Sequence, residues 1–324
     1  MESGAALLYH TGALGDFITT IPAIDYWKKC NTQERLVMLG SPAIGAFACE
    51  TGVVDEFLNV NESRYAMLFN DRFKPEIAGF FARFSQAIVF AESESRFVIN
   101  LLKSRIPCLH QPPFPQTRMH VIDYHLSLLA DGLKLSEEEK TPRLELPVES
   151  IPETNYGEKF SFGFVAIHSG SGSPKKNWPF ERFLSVADHF RGKGRSIVWI
   201  KGPAENYSEI PQADFLFADQ NLTELAYLLN KCDLFIGNDS GVAHLAAALG
   251  CKTIVLFGPS DPCVWAPRGK NVKIVYKNIP CSPCHLDKGL MATCDTSCFS
   301  RITMDDVLSM YFRKRRSSNP PKGG

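Results

Sequence analysis

Short apolar runs alternate along this chain with longer segments whose apolar residues recur every three or four positions. Ala5–His10, Leu36-Val-Met-Leu39, Phe57-Leu-Asn-Val60 and Ala87-Ile-Val-Phe90 belong to the first kind. Phe17 to Lys29, Ala43 to Glu50, Ile77 to Ser85, Glu92 to Ser104 and His120 to Asp131, closed by Gly132, belong to the second. Runs without polar alternation predict strands buried on both faces, and their alternation with helices predicts a parallel, doubly wound α/β sheet. The phenylalanines at 80, 81 and 84 fall within one such helix and are expected in its packing face. The rhythm stops between Lys134 and Phe160, where Ser-Glu-Glu-Glu-Lys and repeated prolines mark a linker. It then resumes with strands at Phe162 to His168, Ser196 to Ile200, Asp233 to Gly237 and Lys252 to Phe257, and with helices ending near Phe190, Asn230, Leu249 and Phe312. The expectation is two Rossmann-like domains, 1–150 and 151–312, and a basic tail, 313–324.

Three strand-to-helix loops carry candidate chemistry. Asn238-Asp239-Ser240-Gly241 leaves a strand and enters an alanine-rich helix, where unpaired N–H groups and the positive end of the helix dipole suit a phosphate. Taken alone, these four residues favour reading Asp239 or Ser240 simply as the N-cap of the helix. Thr11-Gly-Ala-Leu-Gly-Asp16 repeats the design near the N-terminus, its glycines allowing close backbone approach and its Asp16 opening the helix. Ser169-Gly-Ser-Gly-Ser-Pro-Lys-Lys-Asn-Trp-Pro179 reads as a flexible basic loop, with N–H groups and lysines useful against a diphosphate.

Longer patterns add specificity. Asp239-Ser-Gly, His244, Ala-Ala-Ala-Leu-Gly250 and Leu-Phe-Gly-Pro-Ser260 with Pro262 resemble the C-terminal signature of glycosyltransferase family nine, the ADP-heptose:lipopolysaccharide heptosyltransferases. Gly-Ala-Leu-Gly-Asp16 with Pro22 resembles that family's N-terminal signature. The resemblance covers nearly the whole chain and implies two Rossmann-like domains facing across a cleft, the B type of glycosyltransferase. It implies Asp16 as general base, with Lys176, two residues before Trp178-Pro179, beside the leaving diphosphate; the adjacent Lys175 is the alternative. Gly15, Ser169, Asp239, Ser240, Gly241 and His244 become candidate donor-binding residues, and Glu205 the acceptor of hydrogen bonds from the donor ribose. The implied reaction moves a heptose or related sugar, with inversion, from an ADP-activated donor to a lipopolysaccharide-core or other saccharide. Alternatives from other classes are a nucleotide-sugar epimerase and a non-enzymatic, zinc-containing binding module.

Composition narrows this further. With 35 basic and 35 acidic residues the formal net charge is zero, which gives no reason to expect nucleic acid as partner. There is no apolar run long enough for a membrane span and no export signal, so a cytoplasmic protein is expected, with reduced thiols among its ten cysteines. The basic run Arg313-Lys-Arg-Arg316 suggests peripheral contact with the cytoplasmic face of an inner membrane, or simply a solvated terminus. Cys281, Cys284, Cys294 and Cys298 approach zinc-ligand spacing, with a metal-free cysteine loop as the alternative. No Asp-x-Asp occurs, so no cofactor or divalent metal is expected in the transfer itself.

Overall fold

The structure, a computed structural model, describes residues 4–147, 163–202, 214–218, 221–284, 294 and 296–312. The N-terminal half comprises β1 (Ala5–His10), α1 (Leu14–Cys30), β2 (Arg35–Gly40), α2 (Pro42–Glu50), β3 (Glu56–Asn59), α3 (Pro75–Phe81), β4 (Gln86–Phe90), α4 (Arg96–Ser104), β5 (Cys108–Gln111) and α5 (Val121–Ala130). The C-terminal half comprises β6 (Phe164–His168), α6 (Phe180–Arg191), β7 (Ser196–Ile200), β8 (Phe215–Phe217), α7 (Leu222–Lys231), β9 (Leu234–Asn238), α8 (Gly241–Ala248), β10 (Thr253–Phe257), α9 (Pro262–Trp265), β11 (Val272–Tyr276), α10 (Ser297–Ser300) and α11 (Met304–Phe312).

Each half is built on its own parallel sheet, in the order β3-β2-β1-β4-β5 and β11-β10-β9-β6-β7-β8. In both, the order reverses beside the first strand of the half, β1 or β6. At such a switch point the loops leaving adjacent strands diverge and open a crevice at the C-terminal edge. The loops singled out from the sequence leave β1, β6 and β9, the strands that border these crevices.

Side-chain alternation sorts each strand between two cores. Ala6 and Leu8 of β1, Phe164 and Ala166 of β6, and Val255 and Phe257 of β10 share one cluster with α1, α5 and α8. Leu7 and Tyr9 face a separate N-terminal cluster that holds Phe80, Phe81 and Phe84. Val165, Ile167, Ile254 and Leu256 face a third, with α6 and α11. The inner core therefore runs without a break from one half to the other, and it centres on the packing of α1 against α8.

The central strands and most helices match the pattern-based expectation; the differences lie at edges and ends. Strands β5, β8 and β11 went unpredicted, and all three are sheet edges. Covered less fully than a central strand, they carry residues such as His110 and Lys273 that interrupt an apolar run. The helix expected at Ile77 to Ser85 runs instead over Pro75–Phe81, because proline favours a first helical turn and the Ser85 N–H turns away to the Ala5 carbonyl (2.9 Å). The helix expected from Glu92 begins at Arg96, capped by the Ser95 hydroxyl accepting from Val98 N–H at 3.4 Å.

Gly237 shows how tightly the central strands sit. A Cβ there would lie 2.9 Å from the His168 carbonyl oxygen and 2.8 Å from the Phe235 ring. Gly237→Ala is expected to lower stability by about 1–3 kcal/mol through overpacking, read as a lower urea midpoint with an unchanged slope.

Candidate active site

At the end of β1 the chain turns through Thr11–Ala13 into α1. Asp16 is the third residue of that helix, and its Oδ2 accepts the Ala13 N–H at 3.0 Å. This is the acidic half of a capping box, which satisfies one of the donors a helix start leaves open. The fold-back needs a small residue behind it: a Cβ on Gly12 would lie 3.1 Å from Asp16 Oδ2 and 3.1 Å from His10 Cε1.

At the end of β9, Ser240 caps α8, its Oγ accepting the Ala243 N–H at 3.4 Å and lying 3.2 Å from His168 Nδ1. The starts of α1 and α8 then meet. A Cβ on Gly241 would sit 2.9 Å from Gly15 N, and one on Gly15 would sit 3.3 Å from Gly241 Cα. Two helix N-termini thus converge from different halves, each contributing roughly half a positive charge and several unpaired N–H donors.

Between β6 and α6, Lys176 Nζ lies 2.9 Å from Asp239 Oδ2, and the Ser260 hydroxyl donates to the same oxygen at 2.7 Å. Of the two neighbouring lysines, Lys176 is the one that reaches Asp239. The loop is not the flexible segment that its glycines suggested. Asn238 of β9 pins it: Oδ1 accepts the Trp178 N–H at 3.0 Å, and Nδ2 donates to the Ser169 carbonyl at 2.7 Å. Ser171 Oγ donates to Asn177 Oδ1 at 2.7 Å, and the Trp178 indole N–H donates to the Ile302 carbonyl at 3.1 Å. Buried polar groups left without such partners cost about 1–3 kcal/mol each, so the loop is held in one shape.

Electrostatics tie the three loops together. Burial raises the Asp16 carboxyl above the usual carboxylate range, and the Asp239 carboxylate pushes the same way, whereas the Ala13 N–H, His125 and Lys176 oppose it. An acid held above its ordinary value is a better proton acceptor when ionised. His244 is buried, and burial pushes it down to about 4, so its imidazole is neutral at pH 7. It packs under the α1–α8 junction, with its Cδ2 3.5 Å from the position a Gly15 Cβ would take.

The structure thus gathers Gly15, Asp16, Lys176, Asp239, Ser240 and Gly241. It makes Ser169 a backbone anchor and His244 part of the packing beneath the junction. Glu205 lies outside the described residues, as does the tail 313–324. Among the described residues no group of three or more His, Cys, Asp or Glu is placed to hold a metal ion. Of the four loop cysteines, Cys284 Sγ donates to the Cys281 carbonyl (2.8 Å), Cys281 Sγ lies 4.0 Å from Ser297 Oγ, Cys294 Sγ accepts the Thr296 N–H (3.3 Å) and Cys298 is buried in the third core cluster, with the Cys284 and Cys298 thiols within electrostatic reach of the others. Asn238, His168 and Ser260 were missed by sequence reasoning. Asn238 and His168 adjoin the selected Asp239 and Ser169, and Ser260 lies in the quoted C-terminal signature, but their bonds cross between loops and have no signature along the chain.

A family model described as Glycosyltransferase family 9 (heptosyltransferase) matches residues 103–292, more than half of the chain. The chain belongs to this family. As a family 9 glycosyltransferase it is similar to lipooligosaccharide heptosyltransferase 2 of Campylobacter jejuni, 25% identical over 290 residues and covering 84% of this chain and 86% of that protein. Its fold is that of a glycosyl transferase family 9 structure from Veillonella parvula (TM-score 0.75, 17% identity, 96% of this chain and 97% of that one). It is equally the fold of the E. coli heptosyltransferase WaaC with ADP (TM-score 0.65, 16% identity, 95% and 98%). No helix among the described residues is long and apolar enough to cross a membrane.

Because folding raises the Asp16 pKa, the ionised carboxylate is destabilising in the folded enzyme. The penalty is absent below the unfolded value of roughly 3.9 and grows as the pH rises through the folded value. Asp16→Asn should therefore be at least as stable as the parent at pH 7 and lose that advantage near pH 4, as urea unfolding at several pH values would reveal.

Proposed function

We propose that the enzyme transfers a heptose, or a related sugar, from an ADP-activated donor to a saccharide acceptor of the lipopolysaccharide-core type, inverting the anomeric centre. The observation that carries this reading is the junction itself: a half-buried carboxylate, Asp16, set beside a lysine and two converging helix starts. Sugar transfer asks for those two functions side by side, a base for the acceptor hydroxyl and stabilisation of the departing diphosphate. Support for the donor and acceptor comes from relatives: the C. jejuni protein is named for lipooligosaccharide, and WaaC was crystallised with ADP.

In this mechanism the diphosphate lies over the start of α8. The N–H groups of Gly241 and its neighbours, and the Lys176 ammonium, take up its charge as the glycosidic bond to the leaving group breaks. Asp239 and Ser260 hold Lys176 ready in the absence of donor. The acceptor hydroxyl approaches from the N-terminal half and gives its proton to Asp16 while its oxygen attacks the opposite face of the sugar. Residues 1–150 are read as the acceptor side and 151–312 as the donor side. The run Arg313-Lys-Arg-Arg316 is read as a contact to anionic lipid near a membrane-bound acceptor.

The deciding experiment incubates ADP-heptose with and without acceptor. Transfer only in its presence supports the reading, whereas conversion of the donor alone would point to an epimerase. Activity is expected to persist in chelator, because the charge on the diphosphate is met by N–H groups and Lys176; loss restored by magnesium or manganese would overturn that expectation.

Asp16→Asn should reduce turnover by about a hundred- to ten-thousand-fold, with ADP affinity nearly unchanged in calorimetry. Near-normal turnover would leave Asp16 as a helix cap and nothing more. Lys176→Ala should weaken ADP binding about tenfold or more, and Lys175→Ala should not; the reverse ranking would move the diphosphate contact to Lys175.

A further inference from the structure

The turn after β10 links the donor side to the other half through a buried acid. The Asp261 side chain is 1% exposed, yet it pairs with an arginine from the N-terminal half, Arg118, whose side chain is 61% exposed. Arg118 lies in the segment between β5 and α5, and its Nε and Nη2 approach the two Asp261 oxygens at 2.6 and 3.4 Å. Asp261 Oδ1 also accepts the Cys263 N–H at 2.9 Å and so starts α9. Three further contacts join the same segments. Phe114 meets the Trp265 ring edge-on at 5.5 Å. His120 accepts the Ile122 N–H on Nδ1, which leaves Nε2–H to donate to the Ala266 carbonyl at 3.0 Å. Arg268 Nη1 donates to Asp123 Oδ1 at 2.9 Å.

The residue before Asp261 is Ser260, whose hydroxyl holds the same Asp239 oxygen that holds Lys176. A continuous path therefore runs from Arg118 through Asp261, Ser260 and Asp239 to Lys176. Its first member comes from the half that does not carry the rest.

We propose that Arg118 is a positioning residue for donor binding: through Asp261 it fixes the turn that seats Ser260 on Asp239, so that the N-terminal half completes the donor's diphosphate clamp. The proposal rests on the reading of Lys176 and Asp239 as that clamp. Arg118 itself need not touch the donor. Without it, the buried carboxylate loses a charge-assisted partner and draws water or another donor toward the turn, which shifts Ser260 and frees Lys176 from its set position.

The test uses the full chain and ADP as probe. Arg118→Ala should raise the ADP dissociation constant about tenfold, with Arg118→Lys between it and the parent because lysine cannot make the forked contact. Millimolar methylguanidinium should restore much of the affinity of Arg118→Ala, a rescue that general loosening of the fold would not show. Arg118→Ala/Asp261→Asn also removes the carboxylate charge that Arg118 met, so its ADP affinity should exceed that of Arg118→Ala, and it keeps the measurement available should the single variant fold poorly. ADP affinity of Arg118→Ala within twofold of the parent, or a loss that neither methylguanidinium nor the second substitution relieves, would overturn the proposal. Lys176→Ala separates the two levels: if it leaves ADP affinity intact the clamp reading fails, whereas if it weakens binding and Arg118→Ala does not, only the role of Arg118 fails.

Discussion

The contact on which this enzyme depends is the backbone approach of Gly15 to Gly241, where the starts of α1 and α8 meet. Two helix N-termini repel one another, since each presents partial positive charge and open N–H groups. The arrangement is therefore costly unless something negative lies at the junction or the surrounding packing enforces it. Both conditions are met. Asp239 supplies negative charge beside the junction, and Asp16 turns its carboxyl back onto the Ala13 N–H, satisfying a helix-start donor although burial makes its own ionisation costly. The remaining donors face the place where a diphosphate is proposed to sit.

Packing supplies the enforcement. The inner face of each sheet contributes to one continuous core that includes α1, α5 and α8, so the halves are not two bodies touching through water. Alanines 243, 246 and 248 keep α8 thin enough to lie between its own sheet and α1. Glycines at the two helix starts then let the backbones close the last gap. A buried imidazole, His244, fills the space below and stays neutral because charging it there would require its desolvation.

Around the junction, polar groups are held by partners that cross between loops. Asn238 uses both ends of its amide to fix the loop after β6, and Asp239 collects Lys176 and Ser260 on one oxygen. Such networks are rigid when complete and costly when broken. That gives the site a defined shape before any ligand arrives, which is what charge stabilisation at a leaving group requires.

The chain's own pattern determined the alternation of strands and helices, the two-part architecture and the loops that carry chemistry, because period and glycine placement are local properties that burial on two faces writes into consecutive residues. Gly15, Asp16, Asp239, Ser240 and Gly241 were legible for that reason, in motifs that also resemble a known family, and the lysine pair 175–176 was legible through that resemblance. The edge strands β5, β8 and β11 were not, since an incompletely covered strand needs no unbroken apolar run. Only the tertiary structure chose Lys176 over Lys175 as the partner of Asp239, set Ser260 on the same carboxylate oxygen, and placed His244 beneath the junction. Only it joined Arg118 to Asp261, 143 positions away along the chain. Distances between loops and the burial of a carboxylate depend on how two sheets pack, and spacing along the sequence does not encode them.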